Sequence, residues 1–365
     1  MVEAYITSNM LLWARRRRFP RLADAAQTLR YTPQKLEAWE RGDARPSFRQ
    51  AQDLAKKLRI PFGYLFLTKP PSETLPLPDL RTRPGRPHPW TPSPDFLEVL
   101  YDALRKQEWF HDYLASEEVD PLPFVGNFKL TSPIPAIAAD IRAKLHLADD
   151  LRRHSRDRDM FFSRLVQQAE EAGVLVMRNS VVGNNTHRPL DPDEFQGFAI
   201  SDSVAPLVFI NQRDFLSAQI FTFVHELVHI WTGVSGISLS VYLREPTPAR
   251  QETERIADAA TAEVLVPRQD FDLRWRAQLT VEENVDGLSQ HYRVSKFVIL
   301  RRAFDTNHIN ADGFKTIYGE LVALTQPRPK RDGGGGYATI FSRNSRKVTS
   351  TILYSVLEGR TTPKE

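Results

Sequence analysis

Apolar positions recur at helical spacing along most of this chain and at strand spacing only near its middle. Residues 22–66, "LADAAQTLRYTPQKLEAWERGDARPSFRQAQDLAKKLRIPFGYLF", have the rhythm of short packed helices. Ala25, Ala26 and Leu29 fall on one face, and Arg30 and Tyr31 break the first helix. Thr32 then suits an N-cap, Pro33 the first helical position and Gly42 the stop. Helical spacing returns in "DFLEVLYDALRKQEWFHDYLASE", "PAIAADIRAKLHL" and "MFFSRLVQQAEEAG", the last closed by Gly173. "VLVMR" follows as a strand, and "FQGFAISD" with "APLVFIN" reads as a pair of strands around a turn. A helix over 215–231 comes directly after them. Further helices are expected in "RQETERIADAATAEVLVP" (stopped by Pro267), over 281–291, in "VSKFVILRRAF" and in "KVTSTILYSVLEG". The fold class is therefore α+β, mostly helical, with a small sheet.

Nine prolines crowd "PPSETLPLPDLRTRPGRPHPWTPSP", from Pro70 to Pro94. Such a stretch cannot be helical and reads as an extended linker or a clamp on a surface. It divides the chain into residues 1–69, a linker over 70–94, a main domain over 95–310 and a C-terminal extension over 311–365 of no assigned role. Gly333 to Gly336 is a flexible break rather than a phosphate loop, because no Lys–Ser/Thr pair follows it.

Charge sharpens this division. Residues 1–60 carry 13 Arg and Lys against 6 Asp and Glu, although the whole chain is only +4. A basic module on a mildly acidic body suggests an anionic partner, nucleic acid first, with a solvated basic surface as the plainer reading. The chain has no cysteine, which excludes disulfides, thiolate nucleophiles and cysteine metal sites and suits a cytoplasmic protein. No window approaches a membrane span, so no membrane partner is expected.

A metal must then be held by His, Asp and Glu, and "FTFVHELVHIWTG" offers two histidines four residues apart. On a helix His225 and His229 share a face, with Glu226 beside the first. The pattern also arises by chance on ordinary core helices. Its flanks decide, because Phe221, Phe223, Val224, Leu227, Val228, Ile230 and Trp231 form an apolar sheath. Two imidazoles and a carboxylate are costly there without a common partner, and a metal is such a partner. A catalytic zinc needs one more protein ligand, for which Glu252, Glu254, Asp258 and Glu263 are candidates. Glu254 and Asp258 stand at i, i+4, which allows one to ligate while the other fixes a ligand histidine's tautomer.

Residues 9–69 resemble the Xre/Cro-type helix-turn-helix family, including "WERG" and "RPS" after the second helix of the motif. The resemblance implies that residues 33–41 lie in the major groove, with Gln34 reading a base. Lys35, Arg41, Arg45, Arg49 and the run Arg15, Arg16, Arg17, Arg18 would contact phosphates. Pro33 and Ala38 read no base, so a docking or dimer module is the alternative.

"FTFVHELVHIW" followed by "ETERIADAATAEVLVP" resembles the ImmA/IrrE family of zinc metallopeptidases. Glu254, Asp258, Thr261, Ala262, Leu265, Val266 and Pro267 fill the family's second motif, with Thr261 in place of its first alanine. "LPDLRT" recurs in a branch of the family that joins the two modules. What the resemblance implies is a gluzincin-like Zn2+ endopeptidase with His225, His229 and Glu254 as ligands, Glu226 as base and Asp258 behind a ligand. A helix-turn-helix repressor is the implied protein substrate, and DNA and a second copy of the chain are the other expected partners. A DNA-binding regulator or antitoxin-like protein whose peptidase fold senses with little turnover is the rival. In such folds an edge strand can pair with an extended substrate, and "APLVFIN" is the candidate for a strand near the cleft. His291, Tyr292 and Tyr242 are candidate oxyanion donors, each with a structural role as the plainer reading.

Overall fold

The structure is a computed structural model and describes residues 2–71, 75–80, 92–147, 149–238, 252–325 and 336–360. Contacts divide it into two units, Met1–Pro76 with Arg86–Tyr101 and Leu77–Gly85 with Asp102–Glu365. Each is taken by itself. Of the sequence expectations, Tyr242 and Gly333 to Gly335 lie outside the described residues, as does most of the proline-rich stretch.

The first unit holds α1 (Ser8–Arg18), α2 (Leu22–Leu29), α3 (Pro33–Arg41) and α4 (Phe48–Leu58), then a 3₁₀ turn over Phe62–Phe66. Its ends follow the local chemistry. The Thr32 hydroxyl accepts from the Lys35 amide at 3.3 Å, and Gly42 ends α3 in the left-handed region at φ 84°. Ser47 and Gln50 cap α4 reciprocally. Leu11, Ala25, Leu29, Leu36, Trp39, Leu54 and Leu58 meet in one core. One expectation fails here. Arg15 does not face solvent: it is 5% exposed, and its Nε donates to Glu40 Oε1 at 2.8 Å. The apolar period of α1 overrides its charge, so Arg15 is a structural ion pair and not a phosphate contact. Helix α5 (Pro94–Ser116) begins in this unit.

The second unit is a small sheet wrapped in helices. It contains α6 (Ile134–Lys144), α7 (Asp149–Arg153), α8 (Arg158–Ala172), β1 (Leu175–Asn179), β2 (Val181–Val182), β3 (Asn185–Pro189), β4 (Gly197–Ile200) and β5 (Leu207–Asn211). Then come α9 (Leu216–Trp231), β6 (Gly236–Ser238), α10 (Glu252–Leu265), α11 (Arg268–Arg274), α12 (Val281–Tyr292) and α13 (Lys296–Asp305). The described chain closes with α14 (Ala311–Ala323), α15 (Gly336–Asn344) and α16 (Arg346–Leu357). The α+β, mostly helical reading holds.

The strand order is β1-β5-β4-β6, with β1 parallel and β4 antiparallel to β5, and β6 antiparallel to β4. Every residue of β4 and β5 is buried, which matches their continuous apolar runs. "APLVFIN" forms β5, which has β1 on one side and β4 on the other and so offers no free edge.

Helix α9 is the axis of this unit. All residues from Ala218 to Trp231 are buried, as an all-round apolar helix requires. Its terminal carbonyls, orphaned by the end of the helix, are met by the loop before α6. Gly126 N–H donates to Ile230 O at 3.0 Å and Phe128 N–H to Trp231 O at 3.1 Å. Trp231 stacks on Phe124 and donates its Nε1–H to Asp140 of α6 at 2.7 Å. Helix α10 is pinned in the same manner, with Arg142 donating to Val264 O at 2.7 Å and Arg152 to Leu265 O at 2.6 Å. Both helices that carry the candidate ligands are thereby held at their C-termini.

The two ion pairs of the first unit differ in kind. Glu40→Gln strands the buried Arg15 charge and should cost roughly 3 kcal/mol, while Glu37→Gln, which loses only the exposed pair with Arg41, should cost under about 0.5 kcal/mol. Urea denaturation followed by tryptophan fluorescence measures both, and equal costs would contradict the buried assignment.

Candidate metal centre

The i, i+4 spacing on α9 stacks His225 over His229, and their Nε2 atoms lie 3.1 Å apart. Glu254, one turn into α10, closes the third side, with Oε2 3.4 Å from His225 Nε2 and Oε1 3.2 Å from His229 Nε2. Ligand atoms of the three residues all lie within 4.8 Å of one another, and all three side chains are buried. Asp258, one further turn along α10, puts Oδ1 2.9 Å from His225 Nδ1. A carboxylate there holds the Nδ1 proton, leaving the Nε2 lone pair aimed at the common centre. Of the four acidic candidates, Glu254 and Asp258 face this cluster. Glu252 pairs with Arg255 at the surface and Glu263 with Arg302.

The fit to a cation rests on what surrounds these atoms. Two imidazole nitrogens converge on one point, and among the described residues no amide, hydroxyl or guanidinium reaches either Glu254 oxygen. Lone pairs from three buried donors facing one another are costly unless a positive charge sits between them. Without a metal, that charge is a proton. Burial opposes it, yet the Glu254 and Asp258 carboxylates push His225 up to about 10. Glu254 is held well below the usual carboxylate range, its burial outweighed by the charge of His225. His229 is pushed down, chiefly by burial, because the site accommodates only one extra positive charge. Two nitrogens and one carboxylate converging in this way could hold a divalent cation such as zinc.

Glu226 points from α9 toward the sheet. The Ser238 hydroxyl of β6 donates to its Oε2 at 3.4 Å. Burial first, then the Glu254 charge, push its carboxyl up to about 8 despite the pull of His225. Gly197 of β4 explains how the carboxylate fits. A Cβ at that position would stand 2.9 Å from Glu226 Oε1, 2.8 Å from Thr222 Cγ2 and 2.9 Å from Phe209 O. Sequence reading had missed both residues. A lone glycine inside the strand pattern "FQGFAISD" is a sign of close backbone approach and points to Gly197. Nothing comparable marks Ser238, which ends a three-residue strand.

The remaining candidates sit elsewhere. Gln34, Lys35 and Arg41 on α3 and Arg45 in the loop after it are exposed on the first unit. Lys35 Nζ lies over the Tyr31 and Trp39 rings, Arg41 pairs with Glu37, and Arg45 lies 4.1 Å over the Tyr5 ring. Tyr292 is buried and donates its hydroxyl proton to Asp270 at 2.7 Å, with His291 Nε2 4.0 Å from the same carboxylate. Their partners lie on α11, which matches their structural reading.

Because Asp258 meets the cluster at His225 Nδ1, Asp258→Asn should keep the fold and weaken zinc binding about 10- to 100-fold. A competition titration against a chromophoric chelator reads this directly, and unchanged affinity would remove Asp258 from the site.

Among the described residues no helix is long and apolar enough to cross a membrane. No curated protein matches the chain's sequence. Residues 169–304, from the end of α8 to α13 and including both ligand-bearing helices, match the model of the IrrE N-terminal-like domain, peptidase family M78, so this stretch is similar to that domain.

Proposed function

We propose that this protein is a Zn2+-dependent endopeptidase of narrow specificity whose N-terminal unit brings it to DNA or to a helix-turn-helix repressor. One observation carries the catalytic half: His225, His229 and Glu254, buried on two separate helices, bring their donor atoms within 4.8 Å of one another, with Glu226 next in sequence to the first. His225, His229 and Glu254 would hold the metal, with Asp258 orienting His225. Zinc, when bound, supplies a Lewis acid that polarises a peptide carbonyl and makes water more acidic. Glu226 takes the proton of the attacking water as the carbon–oxygen bond forms. It returns that proton to the amide nitrogen as the carbon–nitrogen bond breaks, so the products are a carboxylate and an amine. A cation held by His225, His229 and Glu254 would favour the ionised form of this buried carboxyl, the form that takes a proton. Ser238 holds one oxygen of Glu226, and the missing Cβ of Gly197 leaves room for the other.

Two features support the N-terminal half of the proposal. The unit is basic, and Gln34, Lys35, Arg41 and Arg45 are exposed on α3 and the loop that follows it. Of these, Gln34 is the side chain able to bond an adenine edge in two places.

Glu226→Gln keeps shape and should retain zinc, measured by elemental analysis, while cleavage of helix-turn-helix repressors encoded beside this gene should fall about 10²- to 10⁴-fold. Equal cleavage by the variant, or a protein without zinc, would end the peptidase reading. In gel shifts with the full chain, Lys35→Ala and Arg45→Ala should each lower the salt slope of DNA binding by about one. Gln34→Ala should relax sequence preference instead. Absence of any shift at low salt would remove DNA from the function.

A further inference from the structure

The β6 strand is the sheet edge on the Glu226 side, and its outer face is already paired. Leu80 N–H donates to Ile237 O at 3.1 Å, and Ile237 N–H donates to Pro78 O at 3.0 Å. Asp79 forms a parallel bridge with Ile237. Both outward backbone groups of Ile237 are thus taken by the segment "LPDL". Side chains fix the same register. Leu77 and Leu80 are 7% and 8% exposed, and Leu80 lies directly over Gly236. A Cβ on Gly236 would stand 2.3 Å from Leu80 Cδ1, so the glycine is the floor of a leucine-sized seat. The next residue but one, Ser238, reaches Glu226. An extended peptide adding to this edge therefore lands within about two residues of the candidate base, at roughly 3.3 Å per residue.

We propose that the outer edge of β6 is a peptide-binding site with a leucine seat over Gly236, and that the Leu77–Leu80 segment of the chain is its resident competitor. The inference rests on the peptidase reading for its meaning, not for its geometry. The site takes extended peptides with a branched aliphatic side chain, held by backbone hydrogen bonds to Ile237. Such a peptide gains access only by displacing the resident segment. Among the described residues the segment makes a single bridge, so displacement there asks for two hydrogen bonds and two leucine contacts to be exchanged for equivalent ones. Tethered in the same chain, it competes at an effective concentration in the millimolar range. Only a good match to the seat, or release of the segment, fills the edge from outside.

The test uses the full-length zinc-loaded chain and a fluorescein-labelled peptide of sequence Leu-Pro-Leu-Pro-Asp-Leu, which repeats residues 75–80. Leu80→Asp should bind the peptide at least about tenfold more tightly than wild type. Adding Gly236→Leu to that variant should abolish the gain. Hydrogen exchange provides a second reading, in which Leu80→Asp should speed exchange at Ile237 while α9 stays protected. If α9 also loses protection, Leu77→Ala with Leu80→Ala replaces the harsher change. Equal peptide affinity in wild type and the segment variants, or an Ile237 amide that exchanges alike in both, overturns the inference. Cleavage of the helix-turn-helix repressors encoded beside this gene separates the two claims. Turnover at one rate in wild type and Leu80→Asp keeps the peptidase and overturns the competitor. A peptide-binding gain without turnover in any variant keeps the competitor and removes the peptidase.

Discussion

The second unit depends on the cost of placing ionisable groups where water cannot reach them. Helices α9 and α10 meet with His225, His229, Glu254, Asp258 and Glu226 all buried. In an apolar interior each of these groups is unfavourable alone, and together they call for a positive charge between them, a proton or a metal ion. The packing that surrounds them answers that cost. Phe124 and Asp140 lock Trp231 at one end of α9, and Arg142 and Arg152 cap the end of α10. An error of an ångström in either helix would leave a carboxylate facing a lone pair instead of a positive charge.

Residues that share one helix were legible in the sequence, because a 3.6-residue period fixes which of them are neighbours. His225 with His229, and Glu254 with Asp258, follow from spacing alone. That α9 and α10 meet is a tertiary fact, and only the likeness to a family anticipated it. The strand runs were readable as buried, but a continuous apolar run has no mark for its place in a sheet. "APLVFIN" is central in the sheet, a place its sequence does not mark. Ser238 was invisible for a related reason, since a three-residue strand is too short to show a period. Helices α14 and α15 were missed in the C-terminal part, where weak amphipathic patterns lie beside a glycine run.

In the first unit the same physics separates charges that look alike on paper. Arg15 and Arg16 are adjacent and identical, yet one is buried on Glu40 and the other exposed. A run of four arginines on an amphipathic helix cannot present four charges to one partner. Counting basic residues therefore overstates the surface offered to an anion. The exposed side chains of α3 and its following loop describe that surface better.

The stretch that matches the peptidase family supplies all four strands of the main sheet but does not finish either of its borders. Residues 78–80 cover β6, and at the opposite border the Ser342 hydroxyl of α15 donates to the Arg178 carbonyl of β1 at 3.2 Å. Both coverings come from beyond residues 169–304. A fragment cut to the matched stretch would carry two bare strand borders, each able to recruit a neighbouring copy. Fibrillar or precipitating material is the expected fate of such a fragment, and the flanking sequence thus has a solubility role independent of any chemistry at the metal centre.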